Sequence, residues 1–226
     1  MSQIQNNISD QTSNELIDWW RIYGRNFPWR NSDDPYLILM AEVMLHRTRA
    51  LQVEAIFSTF VDRYPNLESL SKAEITEIIN ILRPLGLNWR TKLIIELVEE
   101  INQVYGGKLP ESKQDLISLP GVGDYVASAI RCFAFGYPET VVDTNTSRVI
   151  SRLCGFEEKG EMRRKKEVRE AYQSILDKER PREFNYALLD LGAAICTPRN
   201  KSCSICPVSN YCKTASNEVI RLEKSL

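Results

Sequence analysis

Hydrophobic positions recur at helical spacing along most of this chain. Between Arg90 and Tyr105, apolar residues fall at 93, 94, 97, 98, 101 and 104, on one face of a 3.6-residue helix. Similar patterns predict helices at 14–23, 36–48, 51–64, 67–70, 73–82, 143–154, 163–177 and 182–195, and two more on either side of a tight turn within 115–136. No run alternates with period two, and the Val141-Val142 pair is too short for a strand. We therefore expect an all-α fold.

The chain's N-terminus is predicted to be frayed up to the first helix. Residues 1–12 are polar and rich in amides. Thr12 followed by Glu15 matches a capping box, which predicts a helix start just after Thr12. Nothing here reads as a signal peptide or an apolar membrane span, so we expect a cytoplasmic protein with no membrane partner.

Composition limits the function classes only loosely. The 226 residues are enough for one large domain or two small ones, and 43% hydrophobic residues can fill a core. A formal net charge of −1 argues against a globally basic nucleic-acid binder, although it leaves room for a local basic face.

Four cysteines near the C-terminus suggest a metal centre. Their spacing is C-x6-C-x2-C-x5-C, and they are Cys196, Cys203, Cys206 and Cys212. Four thiolates typically hold an iron–sulfur cluster. A structural zinc site commonly uses two short C-x2-4-C pairs, and only one such pair occurs here. We therefore favour a [4Fe–4S] cluster; a zinc site and two disulfides are the alternatives.

A glycine turn between two predicted helices has the character of a phosphate site. The segment Leu119-Pro120-Gly121-Val122-Gly123 precedes a helix that begins near Asp124. Glycine allows close backbone approach, and the first amides of a helix are unpaired and carry the positive end of its dipole. The simpler interpretation is an ordinary turn between two helices.

Two carboxylates lie in contrasting surroundings. Glu42 interrupts the apolar run 36–45, where burial favours a protonated acid that can donate a proton. Asp143 opens a helix, whose N-terminus stabilises an anion. Acids in different environments suggest divided catalytic roles. A buried structural carboxylate and a plain N-cap are the alternatives for Glu42 and Asp143.

Taken together, these motifs resemble the helix-hairpin-helix DNA glycosylases of the endonuclease III and MutY kind. The resemblance rests on LPGVG, the cysteine pattern about 75 residues later, VVDTNTSRVISR and AEVMLHRT, and it covers roughly residues 26–212. It implies a six-helix barrel with the hairpin at 32–135. It also implies a second helical domain from 1–31 and 136–226, which carries the [4Fe–4S] loop. Members flip a base into a cleft between their domains and hydrolyse its N-glycosidic bond.

The resemblance also implies roles for individual residues. Asp143 would stabilise positive charge on the sugar, and Glu42 would assist departure of the base. Leu119, Gly121, Val122 and Gly123 would contact DNA, although Asp124 stands where the family often has a basic residue. Tyr125 replaces the lysine of the strand-cutting members. This substitution implies a monofunctional enzyme unless Lys113, Lys92 or Lys108 substitutes.

The implied substrate is a mispaired base in double-stranded DNA. Glu42, Tyr125 and the FPWR segment at 27–30 are similar to the archaeal thymine/guanine mismatch glycosylases of the Mig branch. The chain ends fourteen residues after Cys212, so we expect no MutY-type C-terminal domain. Thymine or uracil opposite guanine is the first choice, and adenine opposite 8-oxoguanine or guanine the alternative. A non-catalytic iron–sulfur DNA-binding protein is the alternative of another class.

The segment His46-Arg47-Thr48 lies where MutY has Gln-Gln-Thr, and it is a candidate for filling the gap left by the flipped base. Arginine can bond guanine bidentately, so the segment is a candidate for contact with the partner guanine as well. A solvated helix end is the alternative for His46. We expect the protein to act as a monomer, associated with the nucleoid when it is bound to DNA.

Overall fold

The all-α prediction is confirmed. The computed structural model describes residues 3–86 and 89–216, and no strand occurs within these ranges. The helices of the described chain are α1 (Gln3–Tyr23), α2 (Pro35–Leu45), α3 (Ala50–Arg63), α4 (Leu67–Ser71), α5 (Ile75–Leu82), α6 (Trp89–Tyr105), α7 (Lys113–Ser118), α8 (Asp124–Phe133), α9 (Thr144–Cys154), α10 (Lys166–Ile175) and α11 (Pro181–Ala194). None of these helices is both long enough and apolar enough to cross a membrane.

The chain forms two compact units, one continuous and one built from both ends of the chain. The continuous unit is Asn26–Tyr137 and contains α2 to α8. α2 is almost entirely buried and packs against α3 and α8. Phe27 and Trp29 are buried beside it with ring centroids 4.8 Å apart, so the FPWR aromatics belong to the core.

The discontinuous unit combines Met1–Arg25 with Pro138–Leu226. α1 packs against α11, and α9 packs against both α10 and α11. The buried carboxylate of Asp190 accepts hydrogen bonds from the Arg25 amide at 2.8 Å and from Trp20 Nε1 at 3.2 Å. Because buried polar groups are costly unless bonded, these contacts fix α1 on α11 in one register.

A second polar contact ties α1 to the segment before α11. Asp177 accepts hydrogen bonds from Ser13 Oγ at 2.8 Å and from Arg180 Nε at 3.0 Å. Burial alone would raise the pKa of Asp177, but the bonds from Ser13 and Arg180 outweigh burial and lower it.

The structure corrects two helix boundaries. α1 already includes Gln3, so Thr12 lies within the helix and the predicted capping box with Glu15 is wrong. No Gly or Pro interrupts 3–23, and Thr12 and Ser13 are buried by packing. The helix expected over 36–48 ends at Leu45, because Arg47 adopts a left-handed conformation with φ +58°.

Candidate functional site

Asp143 is the N-cap of α9 and closes a reciprocal capping box. Its Oδ1 accepts from the Thr146 amide at 2.7 Å, and its own amide donates to Thr146 Oγ1 at 2.9 Å. Oδ2 accepts a longer bond of 3.3 Å from Asn145 Nδ2. The carboxylate is half-buried and lies at the positive end of the α9 dipole. This arrangement orients the side chain and stabilises its negative charge.

The extended segment that leads into Asp143 is held by one buried amide. Asn185 accepts from the Val141 amide at 2.9 Å and from Tyr172 Oη at 2.7 Å. Its Nδ2 donates to Glu139 O at 3.0 Å and to Pro181 O at 2.7 Å. All four hydrogen-bonding positions of this amide are therefore used, which fixes where the chain enters α9.

Glu42 and Tyr125 both lie in the continuous unit, on helices that pack together. Glu42 is buried in the middle of α2, whereas Tyr125 is half-buried in the first turn of α8. α2 packs against α8. The predicted burial of Glu42 is thus observed.

The two glycines of the hairpin differ in their backbone conformation and in the room around them. Gly121 has φ +71°, and a Cβ there would lie 2.5 Å from Leu93 Cδ1. Gly123 has φ −92°, and a Cβ there would meet nothing within 4 Å. Of the chain's ten glycines, Gly123 is the one that neither its backbone nor its packing requires. Its lack of a side chain therefore leaves open space at the N-terminus of α8.

The other residues at the hairpin turn are buried or ion-paired. Leu119 and Val122 are buried. Asp124, the departure from the family pattern, pairs with Lys113 Nζ at 3.1 Å. Lys113 also donates to Ser128 Oγ at 2.9 Å. The acid beside the turn therefore has a cation next to it, and the Lys113 amine is held within the hairpin.

A tight turn at 46–48 follows α2 and accepts hydrogen bonds from a buried arginine. His46 and Arg47 are exposed, and the His46 ring meets Trp89 edge-on with centroids 5.3 Å apart. Arg90 Nη2 donates to His46 O at 2.9 Å and to Thr48 Oγ1 at 2.8 Å. Although His46 is largely exposed, partial desolvation of its ring lowers its pKa, and the positive charges of Arg47 and Arg90 lower it further. Sequence reasoning missed Arg90 altogether.

The four cysteines line one cavity in the discontinuous unit. None of the four forms a disulfide, so the disulfide alternative is not observed. Burial raises the pKa of Cys206 to about 11, to which the other three nearby thiols contribute. Within the described residues, no group of three or more His, Cys, Asp or Glu is arranged to hold a single metal ion.

Two buried arginines on α9 hold the start of the cysteine segment. Arg148 donates from Nε to Cys196 O at 2.9 Å, and from Nη2 to Asn145 Oδ1 at 2.9 Å. Arg152 donates from Nη1 to Thr197 O at 2.7 Å and to Cys196 Sγ at 3.4 Å. Hydrogen bonds therefore run from Asp143 through Asn145 and Arg148 to Cys196. In the sequence, the i, i+4 spacing of the two arginines was the only sign of this hydrogen-bond network.

The structure thus groups the candidate residues by unit. Asp143 and the cysteines lie in the discontinuous unit, and the remaining candidates lie in the continuous unit: Glu42, His46, Arg47, Thr48, Leu119, Gly121, Val122, Gly123 and Tyr125.

Comparison with known proteins identifies the class to which this fold belongs. The model of the HhH-GPD superfamily of base excision DNA repair proteins matches residues 40–178. This match covers more than half of the chain, and the chain therefore belongs to that superfamily. The family expected from the hairpin and cysteine motifs is confirmed.

Individual relatives are similar over almost the whole chain. A thymine-DNA glycosylase from Aeropyrum pernix is 39% identical over 208 residues, which is 90% of this chain and 93% of that protein. The solved structure of a thermostable thymine-DNA glycosylase has a TM-score of 0.85 and 33% identity, and covers 94% of this chain and 98% of its own. An adenine DNA glycosylase from Buchnera aphidicola is 31% identical over 89% of this chain, but over only 58% of its own length.

Proposed function

We propose that this protein is a monofunctional DNA glycosylase that removes thymine or uracil opposite guanine from double-stranded DNA. The observation that carries the proposal is the carboxylate of Asp143, oriented by a capping box and left half-exposed at a helix N-terminus. The similarity to thymine-DNA glycosylases supports the choice of base. Mispaired bases also cost less to extrude than paired ones.

Asp143 acts on the sugar of the flipped nucleotide. As the bond from C1′ to the base nitrogen breaks, positive charge develops on the sugar, and an oriented anion stabilises it. Water then supplies a hydroxyl group to C1′, and its proton compensates the charge on the departing base. The bonds from Thr146 and Asn145 keep the carboxylate in place, so little reorganisation is needed during the reaction.

Glu42 and Tyr125 define the leaving-group chemistry. Glu42 is buried among apolar residues of α2, where a carboxyl group favours its neutral form and can donate a proton towards the base. Tyr125 carries a phenol, which cannot form an imine with the sugar. We therefore expect base removal without the strand cleavage that a lysine at this position would catalyse.

The open turn at Gly123 binds a phosphate of the DNA backbone. The space above Gly123 lets a phosphate approach the first amides of α8, which lack helical partners. His46, Arg47 and Thr48 contact the duplex next to the extruded base. Arg47 is exposed and carries the charge suited to the partner guanine or to the vacated position.

The four cysteines hold a [4Fe–4S] cluster, for which four cysteines around one cavity, none of them in a disulfide, are a suitable donor set. When bound, the cluster would cross-link the segment from Cys196 to Cys212. Arg148 and Arg152 attach this segment to α9, which is the helix that Asp143 caps. The protein is proposed to act as a monomer in the cytoplasm, on nucleoid DNA.

The test is excision from duplexes that carry T:G, U:G, A:G or A:8-oxoguanine. The proposal expects alkali-dependent strand breaks with T:G and U:G, and no adduct after borohydride reduction. Breaks confined to the adenine duplexes would favour the adenine alternative, and no breaks at all would favour a non-catalytic DNA-binding protein. Asp143→Asn retains a good N-cap, so the fold and DNA binding should persist. It removes the negative charge, so excision should fall by about 10³-fold or more.

A further inference from the structure

Arg90 is an arginine buried where an arginine is not expected. It is the second residue of α6 and is only 1% exposed. Charged side chains are almost never fully buried unless they are paired. Within residues 3–86 and 89–216, no carboxylate forms a salt bridge with Arg90. The acceptors of Arg90 among the described residues are all oxygens of two turns, one at 46–48 and one at Gly86.

The burial of this guanidinium is energetically unfavourable and therefore needs a compensating use. Burial lowers the pKa of Arg90, and its Nε has no hydrogen-bond partner among the described residues. An apolar side chain of similar length would fill the same space without this cost. The feature that Arg90 supplies and methionine lacks is a rigid fork of donors, which reaches His46 O, Thr48 Oγ1 and Gly86 O.

The turn held by this fork has an unfavourable backbone. Arg47 has φ +58°, and no other non-glycine residue in the described chain has positive φ. L-residues avoid this region, so the conformation persists only where surrounding contacts impose it. The bonds from Arg90 lie on both sides of Arg47, at His46 O and at Thr48 Oγ1. These two hydrogen bonds hold the turn in this conformation, in which the Arg47 side chain is exposed.

We propose that Arg90 is a positioning residue for base extrusion, because it fixes the 46–48 turn in the conformation that presents Arg47 to the duplex. This inference rests on the proposed function. A preformed turn avoids the entropy cost of ordering Arg47 during DNA opening. Arg90 itself is buried and does not touch DNA, so its effect passes through the turn alone.

The experiment separates extrusion from bond cleavage. Single-turnover excision of uracil is measured in a U:G duplex and in the same strand with the uracil unpaired in a bubble, where no pair has to open. Arg90→Met should slow excision from the duplex about tenfold, and from the bubble less than about threefold. Arg90→Lys keeps the charge but loses the fork, and should behave like Arg90→Met. Arg63→Met, at an exposed pair with Glu77 on the same unit, is the matched control.

Non-additivity gives a second readout. Arg47→Ala should slow the duplex reaction to a similar extent, and the double variant Arg47→Ala/Arg90→Met should be no slower than Arg47→Ala alone, because both act through one element. Equal losses on duplex and bubble, or fully additive effects, would overturn the proposal.

Folding is monitored by far-ultraviolet circular dichroism. If Arg90→Met loses its helical signal, Arg90→Lys decides instead, because it keeps the positive charge and loses only the fork of donors. Arg90→Lys should then slow the duplex reaction about tenfold and the bubble reaction less than about threefold; any other pattern contradicts the inference. Wild-type protein that excises uracil from neither substrate would overturn the proposed function as well, whereas equal losses in the variants would leave that function standing.

Discussion

Substitution of Gly123 by serine should separate DNA binding from folding. The backbone of Gly123 has φ −92° and ψ 179°, which any residue adopts, and a Cβ there meets nothing within 4 Å. Gly123 is also the N-cap of α8, where serine is a slightly better cap than glycine. Loss of a glycine further restricts the unfolded chain. We expect the free energy of unfolding to stay constant or rise by up to about 1 kcal/mol.

The affinity for DNA should fall, although stability does not. The new side chain occupies the space through which a phosphate approaches the first amides of α8. One hydrogen bond to a charged group is worth about 1.5–3 kcal/mol, so the dissociation constant should rise by about 10- to 150-fold. Fluorescence anisotropy with a labelled T:G duplex measures it, in an Asp143→Asn background that keeps the DNA intact.

The neighbouring glycine supplies the contrast. Gly121→Ser places a Cβ 2.5 Å from Leu93 Cδ1 at φ +71°, so it should cost about 1–3 kcal/mol of stability. If Gly123→Ser binds the duplex as tightly as its parent at several salt concentrations, the hairpin does not hold a phosphate and the reasoning fails.

Four further measurements test other parts of the structure. The pKa of Asp177 is lowered by folding, so its contribution to stability is present above about pH 4 and is lost as the pH falls through the folded value. The difference in melting temperature between wild type and Asp177→Asn should therefore shrink below about pH 4. His46 is the single histidine, and an NMR titration should give it a pKa below the ordinary value of about 6.5. Arg90→Met removes a nearby positive charge and should raise this pKa. Asn145→Ala should slow excision by about 10-fold, since it removes a bond to the Asp143 carboxylate; unchanged rates would exclude this support. Iron analysis should give about four irons per wild-type chain and far less for Cys206→Ser; one zinc per chain would contradict a cluster.

Local signals made much of the site predictable from sequence. The capping pattern around Asp143 lies within four residues, and the hairpin and the cysteines are similarly short motifs. Each depends on backbone chemistry that neighbouring residues determine. The apolar run around Glu42 likewise predicted its burial, because a helix with no polar face has no side to turn towards solvent.

Interactions between distant residues were not predictable in this way. The acceptors of Arg90 at His46 and Thr48 lie more than 40 residues away in sequence, so nothing near Arg90 indicates its burial. The end of α2 at Leu45 was missed for the same reason, since the left-handed Arg47 depends on those contacts. Thr12 looked like an N-cap because its local motif is sound, but packing against the rest of its unit continued the helix through it.

The discontinuous unit has a consequence for how the protein is made. Residues 26–137 are contiguous and can fold as soon as they leave the ribosome. α1 leaves the ribosome first but has to wait for α11, which supplies Asp190 for Arg25 and Trp20. A premature stop codon before α11 would therefore yield a well-folded middle with an unpaired leading helix, exposed to proteases and without the support that holds Asp143.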